Sequence, residues 1–131
     1  MIEEGLASFL EELETSAGAR VYPLTLPQAV KYPALTYQLV SDPRDDTHDG
    51  PDGTVNARYQ VTAWSDVYDD MKALAQEVRD GLFGFTGAMG EVTVRRVGYM
   101  GGPDLYEPEV GPAGAPGVHH GPRDYVIQYT E

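Results

Sequence analysis

The stretch TVNARYQVTAWSDVYDDMKALAQEVRDGL, residues 54 to 82, contains two hydrophobic periods back to back. Val55, Ala57, Tyr59, Val61 and Ala63 alternate with Asn56, Arg58, Gln60 and Thr62, the period of a strand with one face in a core and the other wet or in contact. Past Trp64 the period changes to that of a helix, with Val67, Met71, Leu74, Val78 and Leu82 as its apolar stripe. Ser65 or Asp66 is placed to cap this helix, and Asp66, Asp69 and Asp70 suit the positive end of its dipole. The pattern predicts that Tyr59, Val61 and Leu74 pack together between strand and helix.

Upstream, PALTYQLVS (33–41) reads as a strand with Leu35, Tyr37 and Leu39 on one side. A short Val21-Tyr22 segment and a loop punctuated by Pro23, Pro27 and Pro33 precede it. IEEGLASFLEELE (2–14) opens the chain as an amphipathic helix, with Ile2, Leu6, Phe9, Leu10 and Leu13 on one face. Thr15 to Gly18 should end it, with Gly18 suited to the left-handed position. Glu11, Glu12 and Glu14 crowd the end where the macrodipole disfavours carboxylates, so either solvent screens them or basic groups elsewhere meet them.

Downstream of Gly81, Gly84 and Gly87, EVTVRRVGYM (91–100) is a strand whose alternation shifts at Arg95-Arg96, as a bulge would make it do. RDYVIQYT (123–130) closes the chain, with Tyr125, Ile127 and Tyr129 on one face. Between them GGPDLYEPEVGPAGAPGV (101–118) has five Gly and four Pro in 18 residues and reads as a long arm. The sum is one α+β domain over residues 1–131: a mainly antiparallel sheet of about four strands carrying two helices, in the order α-β-β-α-β-β, with long loops.

At 131 residues such a domain buries enough surface to hold a core without staples. The absence of Cys excludes disulfides, thiolate metal sites and thiol nucleophiles. No apolar run is long enough to span a membrane, and the chain reads as soluble and intracellular in origin. Nine basic residues against 21 acidic ones give a net charge of -12, which argues against a phosphate-neutralising surface.

SDPRDDTHDGPDG (41–53) joins two neighbouring strands and holds five aspartates and one histidine. Asp45, Thr47, Asp49 and Gly50 fall at positions 1, 3, 5 and 6 of an EF-hand loop, but Pro51 stands at position 7, Asn56 replaces the bidentate Glu at position 12, and the flanks are strands. A solvated hairpin loop, with no tight calcium site, is the expectation. His119 and His120, adjacent on a strand, point to opposite faces and His48 lies in another loop, so no metal site is expected. The serines at 8, 16, 41 and 65 lie in no Gly-x-Ser-x-Gly turn, and no phosphate-binding glycine motif or cofactor site is found. A carboxylate pair of the glycosidase type is not excluded by counting, but so small a domain has little room for a deep cleft beside its core.

In order and local wording, IEEGLASFL, RVYPLTLPQAVKYPALTYQLVS, ARYQVTAWSDVYDDMKALAQEVRDGL and DLYEPE resemble the tail-completion, or tail-terminator, family of long-tailed double-stranded DNA phages and phage-derived particles. The resemblance spans nearly the whole chain, and its most specific pieces are YPAL and the strand-to-helix passage QVTAWSDVYDDMKALAQEVRDGL. The insertion VGPAGAPGVHHGP after DLYEPE departs from that pattern. The resemblance implies a non-enzymatic virion protein at the neck end of the tail, assembled in the host cytoplasm as a homo-oligomeric, hexameric ring. Such a ring caps the tube of major tail protein, ends its polymerisation and presents a surface to a head-completion or neck protein, while DNA passes through unbound. Contacts with neighbouring subunits or partners are then expected at Asp45, Asp46, Asp49 and Asp52 of the first loop and at Leu105, Tyr106, Glu107 and Glu109 of the second. Two alternatives stay open: another neck or head-completion adaptor, and a small acidic cation-dependent hydrolase using the 42–52 carboxylates.

Simple geometry is consistent with a ring of this size. A compact domain of this length is roughly 36 Å across, and six touching spheres of that diameter leave a hole of about 36 Å, whereas three leave only about 6 Å. Duplex DNA, about 20 Å wide, passes only through rings of five or more such subunits.

Overall fold

A computed structural model describes residues 2–27, 30–41, 54–108 and 117–130. The elements run α1 (Ile2–Glu12), β1 (Val21–Pro23), β2 (Ala34–Ser41), β3 (Thr54–Ser65), α2 (Tyr68–Leu82), β4 (Gly87–Met89), β5 (Val92–Gly101), β6 (Leu105–Glu107) and β7 (Val118–Thr130). The strands form one curled, seven-stranded sheet in the order β1-β2-β3-β7-β5-β4, with β6 attached to β7 off that path.

This overturns the expected four-stranded sheet in α-β-β-α-β-β order. The extra strands, β1, β4 and β6, have three residues each, too few to display an alternation. Two of them also lie beside the prolines and glycines that mark loops. The sheet is mixed, because β1 runs parallel to β2, with Val21 opposite Leu35. The segment read as an unbroken arm, 101–118, contains the end of β5, all of β6 and the start of β7.

The long strands form where the period-2 pattern placed them. β2 and β3 are antiparallel neighbours, with Tyr37 opposite Val61, so residues 42–53 do connect two paired strands. β7 lies between β3 and β5 and pairs with β3 along its length, from Ser65–His119 to Thr54–Thr130. The register against β5 slips between Val94 and Arg96, which is the bulge expected there. With two residues opposite one, Val94 and Val97 both enter the core while Arg95 and Arg96 both stay exposed.

Both helices contribute to one core. Ile2, Leu6 and Leu10 of α1 and Met71, Leu74, Val78 and Leu82 of α2 cluster with Val55, Ala57, Tyr59 and Val61 of β3 and Tyr125, Ile127 and Tyr129 of β7. Tyr59, Val61 and Leu74 are thus buried as read. Leu39 and Val67 are not, being 40% and 48% exposed: Leu39 precedes the register shift at the end of β2, and Val67 is the N-cap ahead of α2. The helix ends also differ in detail. Glu14 takes a left-handed conformation (φ 56°) just past α1, and Gly18 (φ 57°) serves the next turn, where its N–H donates to the Thr15 carbonyl. Val67 occupies the N-cap of α2 without a side-chain cap bond, and Ser65 Oγ accepts the N–H of Val67 itself at 3.1 Å, ahead of the first turn of the helix. No helix among the described residues is long and apolar enough to cross a membrane.

Candidate interaction surface

Helices cover one face of the sheet, so the other face and the sheet's edges hold what the core does not use. On β3 and β7 the alternate set, Asn56, Arg58, Gln60, Asp124 and Gln128, faces away from the helices. These side chains pair across the strands: Arg58 ion-pairs with Asp124, whose other oxygen accepts from Gln60 Nε2 at 2.9 Å, and Gln128 Nε2 donates to Asn56 Oδ1 at 3.1 Å. The result is a polar, cross-strand network on a sheet face without a helix over it.

At one end this face is covered. Trp64 Nε1–H donates to Thr36 Oγ1 at 2.9 Å, and the indole stacks on His120 with centroids 4.5 Å apart. Beside it a cleft of ≈ 330 Å³ opens between Leu24, Tyr32, Trp64, Glu107, Pro108 and Val118. Burial, then the charges of Asp66 and Glu107, raise the Tyr32 phenol above its usual range. Leu24 stands at the rim 64% exposed, with a left-handed backbone (φ 62°) that is rare for a leucine.

β6 continues the edge that β5 leaves. β5 covers β7 from Asp124 to Thr130, and β6 covers it from Val118 to His120, with Tyr106 opposite His119. The break between them, Gly102 to Asp104, is tied down by charge. Arg123 Nη2 donates to Asp104 Oδ1 at 2.6 Å and Arg123 Nη1 to the Pro103 carbonyl at 2.7 Å, while Lys72 Nζ of α2 reaches Asp104 Oδ2 at 2.9 Å. The Arg123 guanidinium first, and Lys72 after it, hold the Asp104 carboxyl at about 2, below its usual 3.8. The same bond raises Lys72. Tyr68 and Tyr106 flank His119, with ring centroids 5.4 and 4.6 Å away. Leu105 and Tyr106 remain 44% and 55% exposed on a strand whose outer edge pairs with nothing among the described residues.

Of the residues expected to make contacts, Leu105, Tyr106 and Glu107 are therefore adjacent and exposed on this edge strand. Asp45, Asp46, Asp49, Asp52 and Glu109 lie outside the described residues. Sequence reasoning missed the Asp104–Arg123–Lys72 cluster that fixes the strand. Its signal was Arg123, which falls in phase with the core residues Tyr125, Ile127 and Tyr129, where a lone charge requires a buried partner.

Comparison with known proteins agrees with this architecture. No curated protein matches the chain. Among solved structures, a chain described as part of the virion of a native gene transfer agent particle superposes with a TM-score of 0.58 at 13% identity, over 99% of this chain and 92% of its own, and so shares the fold. A second solved chain aligns at 16% identity over 98% of this chain and 92% of its own, with a TM-score of only 0.46. The profile of the family described as "Tail completion protein gp17" matches residues 8–115, most of the length, and the chain belongs to that family.

Proposed function

We propose that this structural tail protein assembles as a ring, a hexamer, on the end of the completed tail tube, where it stops polymerisation and presents the surface to which the head joins. The family match over residues 8–115 carries the reading. The fold supports it by leaving one sheet face without a helix and the outer edge of β6 without a neighbour among the described residues, with Leu105 and Tyr106 exposed on it. An exposed apolar edge strand invites association unless a neighbour covers it. In this reading Leu105, Tyr106 and Glu107, with Glu109 and the aspartates at 45, 46, 49 and 52, contact adjacent subunits, the tube protein or the neck protein. Net charge fits a conduit: six copies at -12 carry about -72, and a wall without phosphate-holding patches lets DNA pass.

Electron microscopy of particles produced without this chain, and of particles whose chain lacks residues 110–116, tests the proposal. Loss of the chain should give tubes of uncontrolled length or tails not joined to heads, and the deletion should do the same while leaving the subunit folded. Tails of normal length joined to heads in the absence of the chain refute the function. Normal particles with the deletion alone refute only the role of that segment.

A further inference from the structure

In a chain with nine basic residues, most of the described ones are already engaged. Arg20 donates to the Pro33 and Ser16 carbonyls, Arg58 pairs with Asp124, Lys72 and Arg123 share Asp104, and the Arg79 guanidinium lies 4.6 Å from the centroid of the Tyr99 ring. Arg95 and Arg96 are the exception as a pair. The β5 bulge doubles that position and turns both outward, and their side chains have no partner among the described residues. Beside Arg96 the helix-free face opens into a cleft of ≈ 280 Å³. Asn56 and Gln128 line it, and Gly98, with open space where a side chain would stand, forms its floor. Such a recess beside two guanidiniums has the chemistry to take carboxylates, which arginine binds through two parallel N–H donors.

The same chain carries an acidic group with the opposite deficiency. Glu11, Glu12 and Glu14 stand exposed at the C-terminal end of α1, where the helix dipole opposes them, and the last turn holds no basic residue. They belong to the helical layer, since Ile2, Leu6 and Leu10 of α1 pack into the core under the sheet face opposite Arg96. Two arginines on one side of the subunit and three glutamates on the other cannot meet within one chain. Between two copies they can.

We propose that the Arg95–Arg96 bulge docks the Glu11, Glu12 and Glu14 end of α1 from a second copy of this chain, head to tail. The proposal rests on the ring reading and gives that ring its charged seam. Complementary patches on opposite sides of one subunit make a heterologous contact, which closes into a ring when the rotation permits. Duplex DNA is the poorer occupant: it presents a charge every ~1.7 Å of axis, and two arginines on a chain of net charge -12 neutralise too few phosphates to hold it. Repulsion between two such chains is screened beyond roughly 8 Å at physiological salt, while the contact pairs are not.

Sedimentation velocity on the full chain over a wide concentration range provides the test. The wild type should self-associate, and raising the salt should weaken it. The double reversal Arg95→Glu/Arg96→Glu and the triple reversal Glu11→Lys/Glu12→Lys/Glu14→Lys should each weaken association at least about tenfold, as close charge pairs across interfaces do. Mixed in equal amounts, the two variants should associate again, because each supplies the patch the other lacks. Melting curves confirm folding, and the neutral pair Arg95→Gln/Arg96→Gln replaces the reversal if it unfolds. Reversal variants that associate like the wild type, or a mixture that does not recover, overturn the seam and leave the ring reading standing. A wild type that stays monomeric throughout overturns the seam as a contact that holds copies of this chain together, and leaves the ring reading, which places assembly on the tube end, to the microscopy of particles lacking the chain. Binding of a short DNA duplex that Arg95→Glu/Arg96→Glu abolishes overturns the assignment to carboxylates.

Discussion

Replacing Gly5 by Ala sets two physical effects against each other, and the structure decides between them. Gly5 lies inside α1, where Ala is favoured over Gly by about 1 kcal/mol, so helix propensity alone predicts a more stable protein. The backbone of β4 and its turn lies against that position. A Cβ on Gly5 would stand 2.6 Å from the Met89 carbonyl carbon and 2.8 Å from Gly90 N, and closer still to the Met89 carbonyl oxygen. These are backbone atoms that cannot rotate aside. To restore an ordinary contact with that oxygen α1 has to move off β4 by about 1 Å, which loosens Ile2, Leu6 and Leu10, all buried. Overpacking of this kind costs about 1 to 3 kcal/mol, and against rigid backbone the upper end applies. After the gain in propensity the net loss is about 2 kcal/mol, or a fall in Tm of about 8 °C for a domain of this size. Thermal denaturation followed by circular dichroism measures it, with exposed Ser8→Ala in the same helix as a control that should change by less than about 0.5 kcal/mol. A Tm for Gly5→Ala equal to or above that of the wild type refutes the close approach of α1 and β4.

Leu74 is fully buried between α2 and the sheet, and Leu74→Ala should destabilise the protein by about 2 to 5 kcal/mol in urea denaturation; a loss below about 0.5 kcal/mol would mean that the helix face is misassigned. The folded state holds Asp104 at about 2, below its unfolded 3.8, so its contribution is complete above about pH 4 and disappears as the pH falls through about 2. Because the carboxylate keeps 29% exposure, solvent screening reduces this contribution to about 1 kcal/mol, and Asp104→Asn should narrow the stability difference between pH 5 and pH 2 by that amount. Equal pH dependence in the two proteins would show that Arg123 and Lys72 do not hold the carboxylate.

How far the sequence could be read depended on how many residues each feature spreads over. β3 and α2 run for 12 and 15 residues, long enough for their periods to be unmistakable, and the β5 bulge was visible because Val94 and Val97 bracket two charges at a spacing that no regular strand buries. β1, β4 and β6 offer three residues each and gain their pairing from neighbours distant in sequence, so no local pattern announces them. Strand order is likewise a tertiary fact: β7 sits between β3 and β5 because its core-phase residues Tyr125, Ile127 and Tyr129 complete a surface that both helices cover. Of the contact surface, Leu105 to Glu107 could be proposed from the DLYEPE resemblance and the Gly- and Pro-rich loop around it, but not that they form a strand held by Asp104.

The cluster at Asp104 links that local observation to assembly. β6 has only three residues paired to β7, and its side chains are exposed, so neither length nor burial accounts for its position. What fixes it is the preceding residue, clamped between Arg123 on the central strand and Lys72 on the helix. Under the proposed function, in which a partner pairs with Leu105 to Glu107, the clamp orders that edge in the free subunit, so the partner does not have to supply the ordering free energy, roughly 1 to 2 kcal/mol for each backbone residue fixed. On that proposal the charge cluster acts on binding as well as on the fold. Weakening it should cost more in association than in the stability of the isolated chain, because β7, β3 and β5 stay paired when β6 is released.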